Sequence, residues 1–132
     1  MKLIPKMTTM ICLTLSSISA SAATWPEKPV TLVVPYPPGG ATDFSARIYA
    51  QYLPELIGTT VVVENRAGAG GEIGAEAVSR AKPDGYTMLF GAIGSHAINA
   101  VLPSKPKSYK FPDAFTGVSF GTAVPLVVAV RS

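Results

Sequence analysis

Cysteine is almost missing from this sequence, and the one present, Cys12, lies near the N-terminus. The remainder of the chain can therefore form no disulfide, thiolate nucleophile or cysteine metal site. His96 is the only histidine, and one histidine without cysteines does not make a metal site. Charged residues are only 14% of the chain, and lysine and arginine do not cluster. Only Lys105, Lys107 and Lys110 come close, in a Pro/Ser-rich stretch that reads as a solvated loop, so there is no basic face for nucleic acid. Nor does any apolar run reach the roughly 20 residues that cross a bilayer.

What is present begins with a processing signal. Lys2 and Lys6 form a basic start, Met7 to Ile18 is mostly apolar, and Ala20-Ser21-Ala22 is a small-residue cleavage site. Residues 1–22 read as a secretory signal peptide cleaved near Ala22, which makes the mature chain exported. Ile11 before Cys12 does not suit lipoprotein processing, which wants a small residue there. The signal takes two of the eleven basic residues with it and leaves nine against eight acids. The apparent pI of 9.1 thus carries no argument for an anionic partner. About 110 mature residues suffice for one small domain.

Strand and helix patterns alternate along the mature chain. Val30 to Val34 is β-branched and apolar, as in a strand buried on both faces. Phe44, Ile48, Leu53 and Ile57 recur at helical spacing, with Thr42 or Asp43 placed to cap the first turn. Pro54 predicts a kink or an early end, and Gly58 a stop. Thr60 to Glu64 reads as a second strand, Asn65 to Gly71 as a glycine-rich loop and Glu72 to Lys82 as a second helix. Pro83-Asp84-Gly85 has turn chemistry. Tyr86 to Phe90 reads as a third strand, His96 to Leu102 as a short helix, 103–117 as loop and Leu126 to Val130 as a fourth strand. The alternation predicts an α/β fold with a parallel sheet and right-handed crossovers. With no helix after the last strand to cover it, residues 23–132 read as an incomplete lobe of something larger.

Several chemistries can be weighed against these segments. Pro35-Tyr36-Pro37-Pro38-Gly39-Gly40-Ala41-Thr42-Asp43 lacks the lysine and hydroxyl that a phosphate loop places after its second glycine. Gly68 to Gly74 follows a strand and opens a helix, but Ile73 stands where a dinucleotide fingerprint needs its third glycine; a turn packing helix on sheet explains the glycines better. Ser95 and His96 are adjacent, and neighbouring side chains diverge too far for a nucleophile and its base, and Ile93 to Ala97 lacks the glycines of a nucleophile elbow. Asp43 and Asp84 read as a capping and a turn residue, not as paired catalytic carboxylates. Three loops remain, all leaving the C-terminal ends of parallel strands, where open α/β sheets bind ligands. Gly39 and Gly40 let N–H groups turn inward ahead of a helix start, and Gly91 to Ser95 adds more N–H groups and a hydroxyl. Together these make a metal-free, cofactor-free anion site suited to reversible capture of a carboxylate.

The ordered motifs PYPPGGATD (35–43), VVVENRAGAGG (61–71), Ile73-Gly74, PDGYT (83–87) and HAIN (96–99) resemble those of the Bug-type substrate-binding proteins of tripartite tricarboxylate transporters. The resemblance runs from about Trp25 to the end. It implies a type II periplasmic-binding-protein-like fold, with two α/β lobes closing on a small organic carboxylate and presenting it to membrane permease subunits. It further implies a periplasmic, non-enzymatic monomer, of which most of the first lobe is present. Carried onto this sequence, it puts Tyr36, Pro38, Gly39, Gly40, Ala41 and Thr42 on the ligand, faced by Ala92, Gly94, Ser95 and His96. Asp43 supports the loop as a helix cap, Asn65 to Gly71 is structural and Thr122 to Pro125 forms a third wall. Ala100 and Gly117 depart from the family, which usually has proline there, and Pro54 is unusual in the first helix. The alternatives from other classes are a nucleotide-using α/β enzyme and a truncated product that cannot close on a ligand.

Overall fold

The computed structural model describes residues 24–98 and 109–123, Ser95 by its backbone alone. Strand β1 (Val30–Val34) leads into helix α1 (Ala41–Ile57), strand β2 (Val61–Asn65), a 3₁₀ turn (Ala69–Gly71), helix α2 (Glu72–Ser79), strand β3 (Thr87–Leu89) and a π-type turn (Gly94–Ile98). The three strands form one sheet in the order β2-β1-β3, parallel throughout. Val30 pairs with Val61 and Val34 with Asn65 on one side; Thr31 pairs with Thr87 and Val33 with Leu89 on the other. Among the described residues no helix is long and apolar enough to cross a membrane.

Because successive strand side chains point to opposite faces, central β1 needs cover on both. Val30, Leu32 and Val34 form a buried cluster with Ala46 of α1 and Val61 of β2, sealed by Tyr49, Ala50, Leu53 and Ile57. On the opposite parity Val33 is buried and Pro35 meets α2. There Gly74 comes so close that a β-carbon would stand 2.8 Å from Pro35 Cβ and 2.9 Å from the Arg66 carbonyl oxygen. Gly74, at the end of the glycine-rich stretch, thus makes a close contact between helix α2 and the loops that leave β1 and β2.

The structure corrects several expectations. The packed stripe of α1 is Ala46, Tyr49, Ala50, Leu53 and Ile57, whereas Phe44 and Ile48 are exposed. Four-residue steps drift around a helix of 3.6 residues per turn, so Phe44 and Ile48 lie off the buried face. Pro54 does not end α1 early: the helix continues to Ile57 and closes at Gly58, which is left-handed (φ 74°) and donates its N–H to the Pro54 carbonyl. Neither Thr42 nor Asp43 is the N-cap; Gly40 is, with no side-chain cap bond. Helix α2 stops at Ser79, not Lys82, and β2 begins and ends one residue later than expected. The 83–85 turn forms as expected, with the Tyr86 N–H donating to Asp84 Oδ1. A π-type turn spans Gly94–Ile98 and takes in the first residues of the short helix expected over His96 to Leu102. The remainder of that helix, residues 99–102, lies outside the described residues, as do residues 1–22, 103–108 and the expected strand Leu126 to Val130.

Candidate functional site

The strand order decides where a ligand can enter. From β1 the chain goes to β2 on one side and returns to β3 on the other. The loops leaving the C-terminal ends of β1 and β3 therefore diverge and open a crevice between them, the switch point at which open α/β sheets bind ligands. These are residues 35–40 and 90–94. They meet at one point: the Tyr36 hydroxyl oxygen lies 3.2 Å from where a β-carbon on Gly94 would sit. Behind them, Tyr49 donates its hydroxyl to the Gly121 carbonyl (2.5 Å) and packs against Phe90 with ring centres 5.5 Å apart and planes tilted by 52°. Gly121 to Ala123 is thereby fixed beside the end of β3; the remainder of the expected third wall, Val124 and Pro125, lies outside the described residues.

The loop after β1 is clamped from below. Asp43, in the first turn of α1, is only 3% exposed. Its Oδ2 accepts the Gly39 N–H (2.8 Å) and Arg47 Nε (2.9 Å), and its Oδ1 accepts Asn65 Nδ2 (2.8 Å). Asn65 Nδ2 also donates to the Tyr36 carbonyl (3.1 Å), and Arg47 Nη2 donates to Asn65 Oδ1 (3.2 Å). The carboxyl is held down at about 2, first by the Arg47 hydrogen bond, then by the Gly39 N–H and the Asn65 amide. Gly39 adopts φ +86°, a conformation that glycine reaches without strain. Register explains Asn65: pairing opposite Val34 sets it beside the strand end from which the loop departs.

This network revises the donor set. The Gly39 N–H points to Asp43, so it is not an open donor. The N–H groups of Ala41, Thr42 and Asp43 have no carbonyl within the helix to donate to, and no partner among the described residues takes them. They stand at the positive end of a 17-residue helix. Asp43 and Arg47 cancel each other's charge, so the attraction offered to an anion is that of neutral, oriented donors.

The other expected contact residues divide. Pro38, Gly39, Gly40 and Ala41 are exposed and Tyr36 and Thr42 half-buried along the first loop, while Ala92 and Gly94 are half-buried on the second. The Ser95 side chain lies outside the described residues. His96 packs within the molecule: its ring lies against Gly91 and meets Phe111 and Phe115 edge-on at 5.4 and 5.6 Å. Burial lowers its pKa. Arg47 and Asn65 were not anticipated as partners of this loop. Arg47 had a signal, since it follows Asp43 by four residues, the helical salt-bridge spacing; Asn65 becomes a partner only through strand pairing. Among the described residues no His/Cys/Asp/Glu group could hold a metal ion.

A family model described as the tripartite tricarboxylate transporter family receptor matches residues 45–132. Protein BugT of Bordetella pertussis is 44% identical over 113 residues, covering 84% of this chain and 34% of that protein. A protein from the tcbD-tcbE intergenic region of Pseudomonas sp. strain P51 is 42% identical over 106 residues, covering 80% and 31%. The chain thus spans about a third of the length of the curated relatives it matches. Among solved structures, MatC of Rhodopseudomonas palustris, with bound malate, superimposes with a TM-score of 0.57 at 36% identity over 64% of this chain and 29% of that one.

Proposed function

The chain belongs to the tripartite tricarboxylate transporter receptor family, and from that premise we propose that it is a lobe of an exported solute-binding protein for a small organic carboxylate. The observation that carries this reading is the clamped loop at the β1/β3 switch point. Asp43 fixes the backbone of the loop, and the first-turn N–H groups of α1 stand open next to the crevice. A ligand carboxylate there accepts several neutral N–H bonds, each contributing about 0.5–1.5 kcal/mol net and up to about 3 kcal/mol where the acceptor is charged. Binding of that kind is firm yet reversible. Malate bound to MatC gives the ligand class on a related fold.

In this proposal the protein works as a periplasmic monomer without cofactor, delivering its ligand to membrane permease subunits. A second lobe supplies the opposite wall, and closure traps the ligand. Alone, residues 23–132 bind carboxylates only weakly, because one wall makes only part of the contacts. Calorimetric titration with a panel of di- and tricarboxylates, sugars and nucleotides tests the reading. The expected result is weak binding confined to the carboxylates, tightening to micromolar when the lobe is joined to the remainder of a relative such as BugT. Preference for a sugar or a nucleotide, or no carboxylate binding in either form, would sink it.

A further inference from the structure

The second loop is held by His96, whose bearing on ligand binding rests on the carboxylate-site reading. The imidazole lies so close to Gly91 that any β-carbon there would collide with it. Its Nδ1 lies 3.2 Å from the Ala92 carbonyl oxygen, which also accepts the His96 N–H at 3.3 Å. The same ring meets Phe111 and Phe115 edge-on, and Tyr109 extends the cluster against Phe115 at 5.5 Å. One side chain thus joins three things: the backbone of residues 91–92, the π-type turn, and the segment 109–115, distant in sequence.

We propose that His96 is a positioning residue whose neutral imidazole, packed on Gly91 and against Phe111 and Phe115, holds residues 91–94 in the shape that faces Tyr36, so that charging the ring loosens the loop and releases ligand. The chemistry around the ring favours the neutral form. Burial lowers the imidazole pKa, and the hydrogen bond with the Ala92 carbonyl opposes it. Among the described residues, the ionisable groups on the elements around the ring are Tyr109, Lys110 and Asp113 on the 109–115 segment, Tyr36 on the first loop, and Glu72 and Glu76 of α2. Those two glutamates raise the Tyr109 pKa, after burial. A loosened imidazole binds a proton at pH values where the packed one does not. The packed loop is therefore favoured above the ordinary 6.5 and lost as pH falls through the lowered value.

The test is an NMR titration of this chain from about pH 8 to pH 4, the range in which imidazole changes charge. It follows the His96 ring and the amides of residues 91–94, without ligand and with malate. The ring should titrate below 6.5, with the amides moving at the same midpoint. Apparent malate affinity should fall about tenfold per pH unit below it, as the competent fraction falls. His96→Phe keeps a flat apolar ring in place; it should hold the loop amides steady across the range and remove that part of the affinity loss. The variant also controls for protonation of malate itself. Amides that ignore the ring, or a ring titrating at 6.5 or above because the phenylalanine faces attract the cation, would overturn the proposal. If His96→Phe does not fold, the wild-type ring and amide titration decides alone. If malate binds at no pH, the carboxylate reading fails, while coupling of ring to loop is still decided by the amides.

Discussion

Asp43 is the residue on which the first loop turns, and its role differs from the one its position suggested. It is a first-turn residue that reaches back to the Gly39 N–H and sideways to Asn65 and Arg47. With a folded-state pKa near 2 against an ordinary 3.8, the native protein binds fewer protons than the unfolded chain between these values. Its contribution is complete above the ordinary carboxylate pKa and lost as pH falls towards 2. Asp43→Ala should accordingly speed amide exchange at Gly39 by about tenfold or more, the factor expected for one lost hydrogen bond to a charged group, and weaken carboxylate binding. Exchange measured at neutral pH checks it; an unchanged Gly39 amide would mean that the carboxylate does not clamp the loop. A second residue-scale expectation concerns Gly74. Its missing β-carbon is what lets α2 reach Pro35 and Arg66, so Gly74→Ala should destabilise by about 1–3 kcal/mol, seen as a lower denaturant midpoint. The aspartate and the glycines were legible in sequence as loop and packing residues. That Asp43 also binds Asn65 was not, because Asn65 arrives through the register of β2 on β1.

Helix α1 carries the loop at its N-terminus and is imperfect at both ends of its task. Pro54 lies inside it and cannot donate to the Ala50 carbonyl, a defect that costs up to about 3 kcal/mol in a helix interior. The packing of Leu53 and Ile57 on the core and the left-handed cap at Gly58 carry the helix past it. Pro54→Ala should therefore stabilise the chain by about 1–3 kcal/mol, measurable by thermal unfolding; a lower midpoint would mean that proline's fixed backbone geometry is needed there. The sequence displayed the stop of α1 at Gly58 and the packing of Leu53 and Ile57, but not the run through Pro54, and Phe44 and Ile48 fit a helical period without lying on the buried side. Tyr49 and Ala50 fill that side instead. Leu56, 81% exposed, should tolerate replacement by lysine within about 0.5 kcal/mol; a larger loss would show that it packs against a part of the protein outside the described residues.

At the scale of the whole molecule, the alternation of apolar strands and helices was enough to specify a parallel sheet, because a strand apolar on both faces demands cover on both. The order β2-β1-β3 was not legible, and it is this order that singles out the loops after β1 and β3 from the one after β2. The loop after β2 contributes Asn65 as a support for the first loop. The central claim is that a carboxylate docks on the start of α1 and on residues 91–94 at the crevice between those two loops. The most direct measurement is an amide-resolved NMR titration of this chain with malate at millimolar concentration, with glucose as the neutral comparison. The expected result is saturable shifts concentrated at Ala41, Thr42, Asp43 and Gly91 to Gly94, absent with glucose and reduced in Asp43→Ala. Shifts centred elsewhere, or the same response to glucose, would contradict it.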